Sequence, residues 1–252
     1  MVLAVLAGVY GVSALVLVVA VVAGHELALM AQANHTGQRV RYIVPVVFIV
    51  MAGIVRAIDS GQSFVAVGAL GVAMGVTGIF NAASIRTDYR RIALPVAIAA
   101  VYFGITLAHA APLIDLESGR RWLLLAILGT FAVDTGAYFT GRAIGRHKLA
   151  PSISPKKTWE GVAGGVVASI GAVIALAAIM DLPLSVLQAG CIGVAITVSG
   201  VTGDLFESWL KRRAGVKDSG RLIPGHGGIL DRIDSLAPNI AVVYWAIQIV
   251  GM

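Results

Sequence analysis

The chain has little charge. Of its 252 residues only 13% are Asp, Glu, Lys or Arg, against 58% hydrophobic, where a soluble domain carries about a quarter charged residues. That shortage excludes an ordinary soluble fold, and a mean hydropathy of +0.89 makes a bilayer the expected solvent. Cysteine is nearly absent. The single Cys191 forms no intrachain disulfide, and inside an apolar run it reads as packing. The chain also lacks a linker, a low-complexity tract and a convincing internal repeat. The missing repeat weighs against a transporter assembled from inverted halves.

What is present is apolar length. Eight runs, at 2–23, 42–58, 64–80, 92–111, 122–140, 161–179, 187–205 and 229–250, suffice to cross roughly 30 Å of hydrocarbon, some at the short limit of about 17 residues. In hydrocarbon each segment must satisfy its own backbone, so the expected fold is an all-α polytopic membrane protein with about eight spans, in a range of seven to nine. The first run has neither a basic leading region nor a polar cleavage zone, and is expected to be a mature helix rather than a signal peptide.

The cations test this count. Arg39 and Arg41 fall on the first connection and Arg86, Arg90 and Arg91 on the third. The fifth has Arg142, Arg146, Lys148, Lys156 and Lys157, and the seventh has Lys211, Arg212, Arg213, Lys217, Arg221 and Arg232. That is 16 of the 19 Lys and Arg; Arg56, Arg120 and Arg121 are the others. Under the positive-inside rule the odd connections are cytoplasmic and both termini external. The net charge of +6 is then a product of topology, with headgroup contact added, and needs no nucleic acid partner. Gly161, Gly165 and Gly171, and Gly193 with Gly200, are spaced to let helices approach closely. Such small-residue faces also suit a homodimer.

Two cytoplasmic connections are long, 141–160 and 206–228, and loops of that length in a compact bundle are usually functional. The window 208–234 alone holds six of the 19 cations and three of the 13 carboxylates. Its first part continues the preceding helix, so that Asp204, Ser208 and Lys211 fall at i, i+4 and i+7 on one face. An ordinary solvated helix end accounts for that face equally well. Next come Pro224 and Gly225, which end a helix, then His226, and then Gly227 and Gly228, which let a ligand approach the backbone. A new helix is expected to start with Asp231 and Asp234 on one side. Two acidic residues cap a helix start well. With Asp204 they also make a hard-oxygen set for Mg2+, which takes one or two carboxylates plus water and phosphate oxygens.

A second constellation lies upstream. Asp134 falls near the middle of its span, where an Asp costs about 2.5 to 3.5 kcal/mol. It is expected to face a cavity or a partner, with a buried contact to Tyr138, Thr130 or another helix as the plain alternative. In the stretch SISPKKTWEG, Ser152, Ser154, Lys156 and Lys157 combine hydroxyls and ammonium groups suited to phosphate oxygens. Thr158 with Glu160 would equally serve as a helix cap, and the lysines as positive-inside flanks.

The run Ser208, Leu210, Lys211, Arg212, Lys217, Asp218, Pro224, His226, Gly227, Gly228, Asp231, Arg232 and Asp234 resembles the C-terminal signature of the phosphatidate cytidylyltransferases, or CDP-diacylglycerol synthases. The resemblance extends through Gly203 and Asp204, SISPKKTWEG, and Asp134 with AYFTGR, covering roughly 130–236. His25, Glu26 and Leu27 resemble a Glu-containing helix end of the family more weakly. Family members usually have a basic start and a further hydrophobic segment before that Glu, whereas this chain opens directly into one helix.

The resemblance implies transfer of a cytidylyl group from CTP to phosphatidic acid with Mg2+, with or without a second, monovalent cation. It implies helical segments at 1–120, about four of them, ahead of a catalytic region at 121–252. Asp204 and Asp231 are the implied metal ligands, with Asp234 a ligand or close behind, and Lys211 joins them as catalytic. Lys211, Arg212 and Lys217 would hold triphosphate or lipid phosphate, His226, Gly227 and Gly228 would line the nucleotide pocket, and Ser208, Asp218 and Arg232 would also be substrate-binding. Asp134, Ser152, Ser154, Lys156 and Lys157 would serve the substrates from the other loop. A bacterial inner membrane with the site facing the cytoplasm is implied as well. Other readings are a CTP-dependent enzyme for another lipid, such as a polyprenol kinase or an ether-lipid cytidylyltransferase, and a membrane transporter. Charges gathered on one side of the bilayer argue against the transporter.

Overall fold

The computed structural model describes residues 8–32, 87–220 and 227–251. Along the chain these form α1 (Gly8–Gln32), α2 (Thr87–Ala108), α3 (Ala110–Asp115), α4 (Gly119–Ile144), the strands β1 (Lys148–Ala150) and β2 (Ser154–Thr158), α5 (Trp159–Ile179), α6 (Val186–Arg213), α7 (Leu230–Ile233) and α8 (Leu236–Val250). Among the described residues five segments are long and apolar enough to cross a membrane: Leu94–Asp115, Gly119–Ile144, Trp159–Ile179, Val186–Arg213 and Leu230–Val250. The protein is thus a helical integral membrane protein. α1 carries a shorter apolar stretch, Ala14–Leu27. The expected spans at 42–58 and 64–80 lie outside the described residues.

The chain divides into two compact units, Met1–Pro112 with Trp209–Ile233, and Leu113–Ser208 with Asp234–Met252. In the first, α1 packs on α2. Val12, Val16, Ala20, Ala23, Leu27 and Met30 are buried at three- and four-residue spacings, which make one stripe along α1. Val96, Ala99, Ala100, Phe103 and Leu107 do the same on α2.

In the second unit α4 packs on α5 and α8. α5 buries Gly161, Gly165, Ser169, Val173 and Ala177, every fourth residue. The approach to α4 is close: a Cβ on Gly136 would meet Ala168 and the Gly164 carbonyl, and one on Gly164 would meet Thr140. The expected small-residue packing is therefore real at Gly161 and Gly165. Gly171 differs, with nothing within 4 Å of where its Cβ would stand. A polar seam crosses the same unit. Asn239 on α8 donates to Thr130 Oγ1 on α4 at 2.9 Å, and Ser199 on α6 donates to Asn239 Oδ1. Such interhelical bonds satisfy polar groups that lipid cannot.

Two boundaries differ from the sequence expectation, and one agrees with it. α4 continues to Ile144, and the connection after it is an antiparallel hairpin pairing Lys148 with Thr158 and Ala150 with Ser154. α6 runs on to Arg213 as the expected continuation requires, its last turn carrying Lys211, Arg212 and Arg213, cations that favour the negative end of the helix dipole. The helix expected from 229 is interrupted at 234–235, between α7 and α8. There Asp234 Oδ1 accepts from the backbone N–H of Ser235 at 2.7 Å and from its hydroxyl at 3.0 Å.

Candidate active site

The polar residues of each unit gather at a lysine–carboxylate centre. In the first unit Lys211, at the end of α6, places Nζ 2.6 Å from Asp231 Oδ1, with side-chain exposures of 12% and 13%. Asp231 Oδ2 is also held: it accepts from the Ser219 N–H at 3.0 Å, the Ser219 hydroxyl at 2.8 Å and the Gly228 N–H at 2.7 Å. Gly227 fits this turn because its φ is +81°, a left-handed conformation that side chains disfavour. Behind the centre stands Glu26 of α1, 3% exposed. It accepts from the Ile229 and Leu230 N–H groups, each at 2.9 Å, and contacts the Ser219 hydroxyl at 3.1 Å.

In the second unit Lys157, on β2, places Nζ 2.7 Å from Asp204 Oδ2, with side-chain exposures of 22% and 32%. Ser208, one turn along α6, donates to Asp204 Oδ1 at 3.2 Å. Asp134 on α4 lies within electrostatic reach of both Asp204 and Lys157. Of the plain alternatives, Thr130 and Tyr138 are engaged elsewhere, and the neighbour Asp134 has in Asp204 lies on another helix. Thr130 donates to the Ala126 carbonyl and accepts from Asn239, and Tyr138 accepts from Arg142. The hairpin that delivers Lys157 is anchored at its base. His147 donates its N–H to Glu160 and places Nδ1 2.6 Å from it, while Thr158 caps α5 by accepting from the Gly161 N–H at 3.1 Å.

The expected site residues therefore sort into groups. Asp231, Lys211, Gly227 and Gly228 share the first centre, and Asp204, Ser208, Lys157 and Asp134 the second. Lys156 does not join its neighbour: it is exposed, while Lys157 is turned toward Asp204. Ser152, Arg212, Lys217, Asp218 and Arg232 are exposed, and Ser154 is half-buried. His226 lies outside the described residues. Sequence reasoning gave Glu26 only a faint signal, and it missed Ser219, whose hydroxyl looks in sequence like any loop serine.

Among the described residues no three His, Cys, Asp or Glu side chains form a closed metal cage. Mg2+ does not need one, since it keeps waters and takes substrate oxygens beside one or two carboxylates. The donor chemistry fits such an open site, because Asp134 and Asp204 are two carboxylates sharing one described lysine, Lys157.

The described residues define a helical polytopic membrane protein with a lysine–carboxylate pair in each of its two units. The chain belongs to the Cytidylyltransferase family, whose profile matches residues 1–250. It is 48% identical over 119 residues to a phosphatidate cytidylyltransferase of Staphylococcus epidermidis, covering 47% of this chain and 46% of that protein. A Mycobacterium bovis protein of the same name is 39% identical over 148 residues, covering 59% and 48%. One from Bacillus subtilis is 37% identical over 155 residues, covering 61% and 58%. The chain thus matches about half the length of these curated relatives.

Proposed function

We propose that the chain transfers a cytidylyl group from CTP to phosphatidic acid, giving CDP-diacylglycerol and pyrophosphate for phospholipid synthesis. The observation that carries this reading is the pair of lysine–carboxylate centres in a membrane protein of the Cytidylyltransferase family. The curated relatives' names point to the same reaction.

The chemistry asks little covalent work of the protein. A phosphate oxygen of phosphatidic acid attacks the α-phosphorus of CTP, the bond from that phosphorus to the bridging oxygen breaks, and pyrophosphate leaves with the electron pair. The lipid brings its own nucleophile, so catalysis reduces to positioning and charge neutralisation. Lys211 and Lys157 are ammonium groups held by carboxylates, from which phosphate oxygens can recruit them. Asp204, with Asp134 near it in the same unit, is where Mg2+ would bind; Asp231 and Asp234 are further candidate ligands, each considered within its own unit. When bound, the ion neutralises charge on phosphate oxygens. Arg212, Lys217 and Arg232 add positive charge for the triphosphate or the lipid phosphate.

The same reading puts the protein in a bacterial inner membrane with the cation-rich connections and the site on the cytoplasmic side, and with both termini external. Helix faces left open at Gly171 and Gly190 suit pairing with a second copy. The test is pyrophosphate release by detergent-purified protein. Release that needs CTP, phosphatidic acid and Mg2+ together, and stops with EDTA, supports the reading. Release without phosphatidic acid, or none in folded and lipid-replete protein, contradicts it.

A further inference from the structure

Glu26 is a carboxylate that the proposed reaction does not use. It is 3% exposed on a helix whose neighbouring buried residues, Ala23, Leu27 and Met30, are apolar. A buried carboxylate is costly unless its oxygens find donors, and here both do. Oε1 accepts from the Ile229 N–H at 2.9 Å, and Oε2 from the Leu230 N–H at 2.9 Å with the Ser219 hydroxyl 3.1 Å away. Gln would fill the same space but would turn an NH2 group toward one of those N–H donors. The demand is therefore for two acceptor oxygens and not for volume.

Two of the donors, the Ile229 and Leu230 N–H groups, lie in the turn that presents Asp231. Gly228 donates to Asp231 while the next two N–H groups donate to Glu26, so one turn is tied to both carboxylates. Ser219 joins them a second time, with its hydroxyl 2.8 Å from Asp231 Oδ2 and 3.1 Å from Glu26 Oε2. One hydroxyl carries one hydrogen, so it donates to only one of the two at a time. A Cβ on Gly228 would run into both the Ser219 hydroxyl and Glu26, which shows how closely the turn is fitted to this carboxylate.

We infer that Glu26 is a positioning residue: it fixes the 228–230 turn and, through Ser219, the orientation of Asp231, so that Oδ2 is held by the protein and Oδ1 is directed to Lys211. Glu26 touches no substrate in this scheme and acts only through Asp231. The inference rests on the cytidylyl-transfer reading for its functional consequence, but not for the clamp itself.

The test compares the parent with Glu26→Gln, Ser219→Ala and the double variant, all full-length in detergent. Hydrogen–deuterium exchange is read over 217–231, with α5 as the internal reference. The Mg2+ concentration giving half-maximal pyrophosphate release is read in parallel. Losing bonds to a buried group opens the segment locally, so Glu26→Gln is expected to speed exchange there about tenfold with α5 unchanged. It is also expected to raise the half-maximal Mg2+ concentration about fivefold or more, a shift that a smaller folded fraction does not produce. Ser219→Ala, the milder change, should shift both in the same direction, and the double variant should be no worse than Glu26→Gln. Unchanged exchange in Glu26→Gln overturns the clamp. Faster exchange with a half-maximal Mg2+ concentration within about twofold of the parent overturns the positioning role. Should Glu26→Gln not fold, Ser219→Ala with parental exchange and Mg2+ dependence overturns the inference, and shifts in both support it. A parent that releases no pyrophosphate counts against the assigned reaction, and the exchange arm still decides the clamp.

Discussion

The two lysine–carboxylate centres use the same chemical pair in different settings. Lys211 and Asp231 are 12% and 13% exposed, and Asp231 takes three further contacts from Ser219 and Gly228. Lys157 and Asp204 are 22% and 32% exposed, with one further donor, Ser208, and a second carboxylate, Asp134, nearby. The first centre is built into its unit by backbone N–H groups, whereas the second depends on a lysine delivered by a hairpin. The contrast teaches that one carboxylate is preorganised, at the cost of burying charge, and that the other keeps solvent access and spare negative charge. A buried pair loses more when one partner is removed than an exposed pair does.

The largest expected effect is at the carboxylates. Asp231→Asn and Asp204→Asn should each insert and purify like the parent yet lose at least about a hundredfold in turnover, the scale for removing a charge-stabilising group. Turnover within tenfold of the parent in either variant would break the comparison at its base. The lysines should separate the two settings. Lys211→Ala strands Asp231 in a poorly exposed position and should lower both the thermal midpoint and turnover. Lys157→Ala should lower turnover with little loss of stability, as expected for a pair open to solvent. Equal destabilisation by both, measured by thermal unfolding in detergent, would erase the distinction.

A smaller effect is expected at the hairpin base. Thr158→Ala removes the α5 cap and should cost about 1 kcal/mol of stability, read as a lowered thermal midpoint. Lys156→Ala should have the smallest effect, within about threefold in turnover, the scale of an exposed charge that joins neither centre. A loss comparable to that of Lys157→Ala would show that both lysines meet substrate.

The helices were legible because hydrocarbon demands long apolar runs, and 161–179 coincides almost residue for residue with α5. Their polar ends were harder to read. Helical hydrogen bonding continues past the apolar boundary, so Val186–Arg213 outruns the stretch that hydropathy marks. The hairpin escaped notice because SISPKKT does not alternate apolar with polar residues, and without a strand Lys156 and Lys157 look equivalent. The contact of Ser208 with Asp204 could be read from their i, i+4 spacing, whereas Lys211, expected on the same face, pairs with Asp231. Glu26 could not be read from spacing, because its partners are about two hundred positions away and nothing in HEL marks a carboxylate that accepts backbone N–H groups. Asp134 stood out as a charge within a span, but its neighbour Asp204 emerged only once α4 and the 186–208 part of α6 belonged to one unit.

The central claim is that cytidylyl transfer as proposed requires both Asp204 and Asp231, each paired with a lysine. Its most direct test is labelled CTP incubated with phosphatidic acid and Mg2+, followed by quantification of labelled lipid for the parent, Asp204→Asn and Asp231→Asn. The account predicts stoichiometric CDP-diacylglycerol and pyrophosphate from the parent, and loss of both products from either variant when each is shown to be folded. Labelled lipid formed at the parental rate by a folded variant of either aspartate would contradict it.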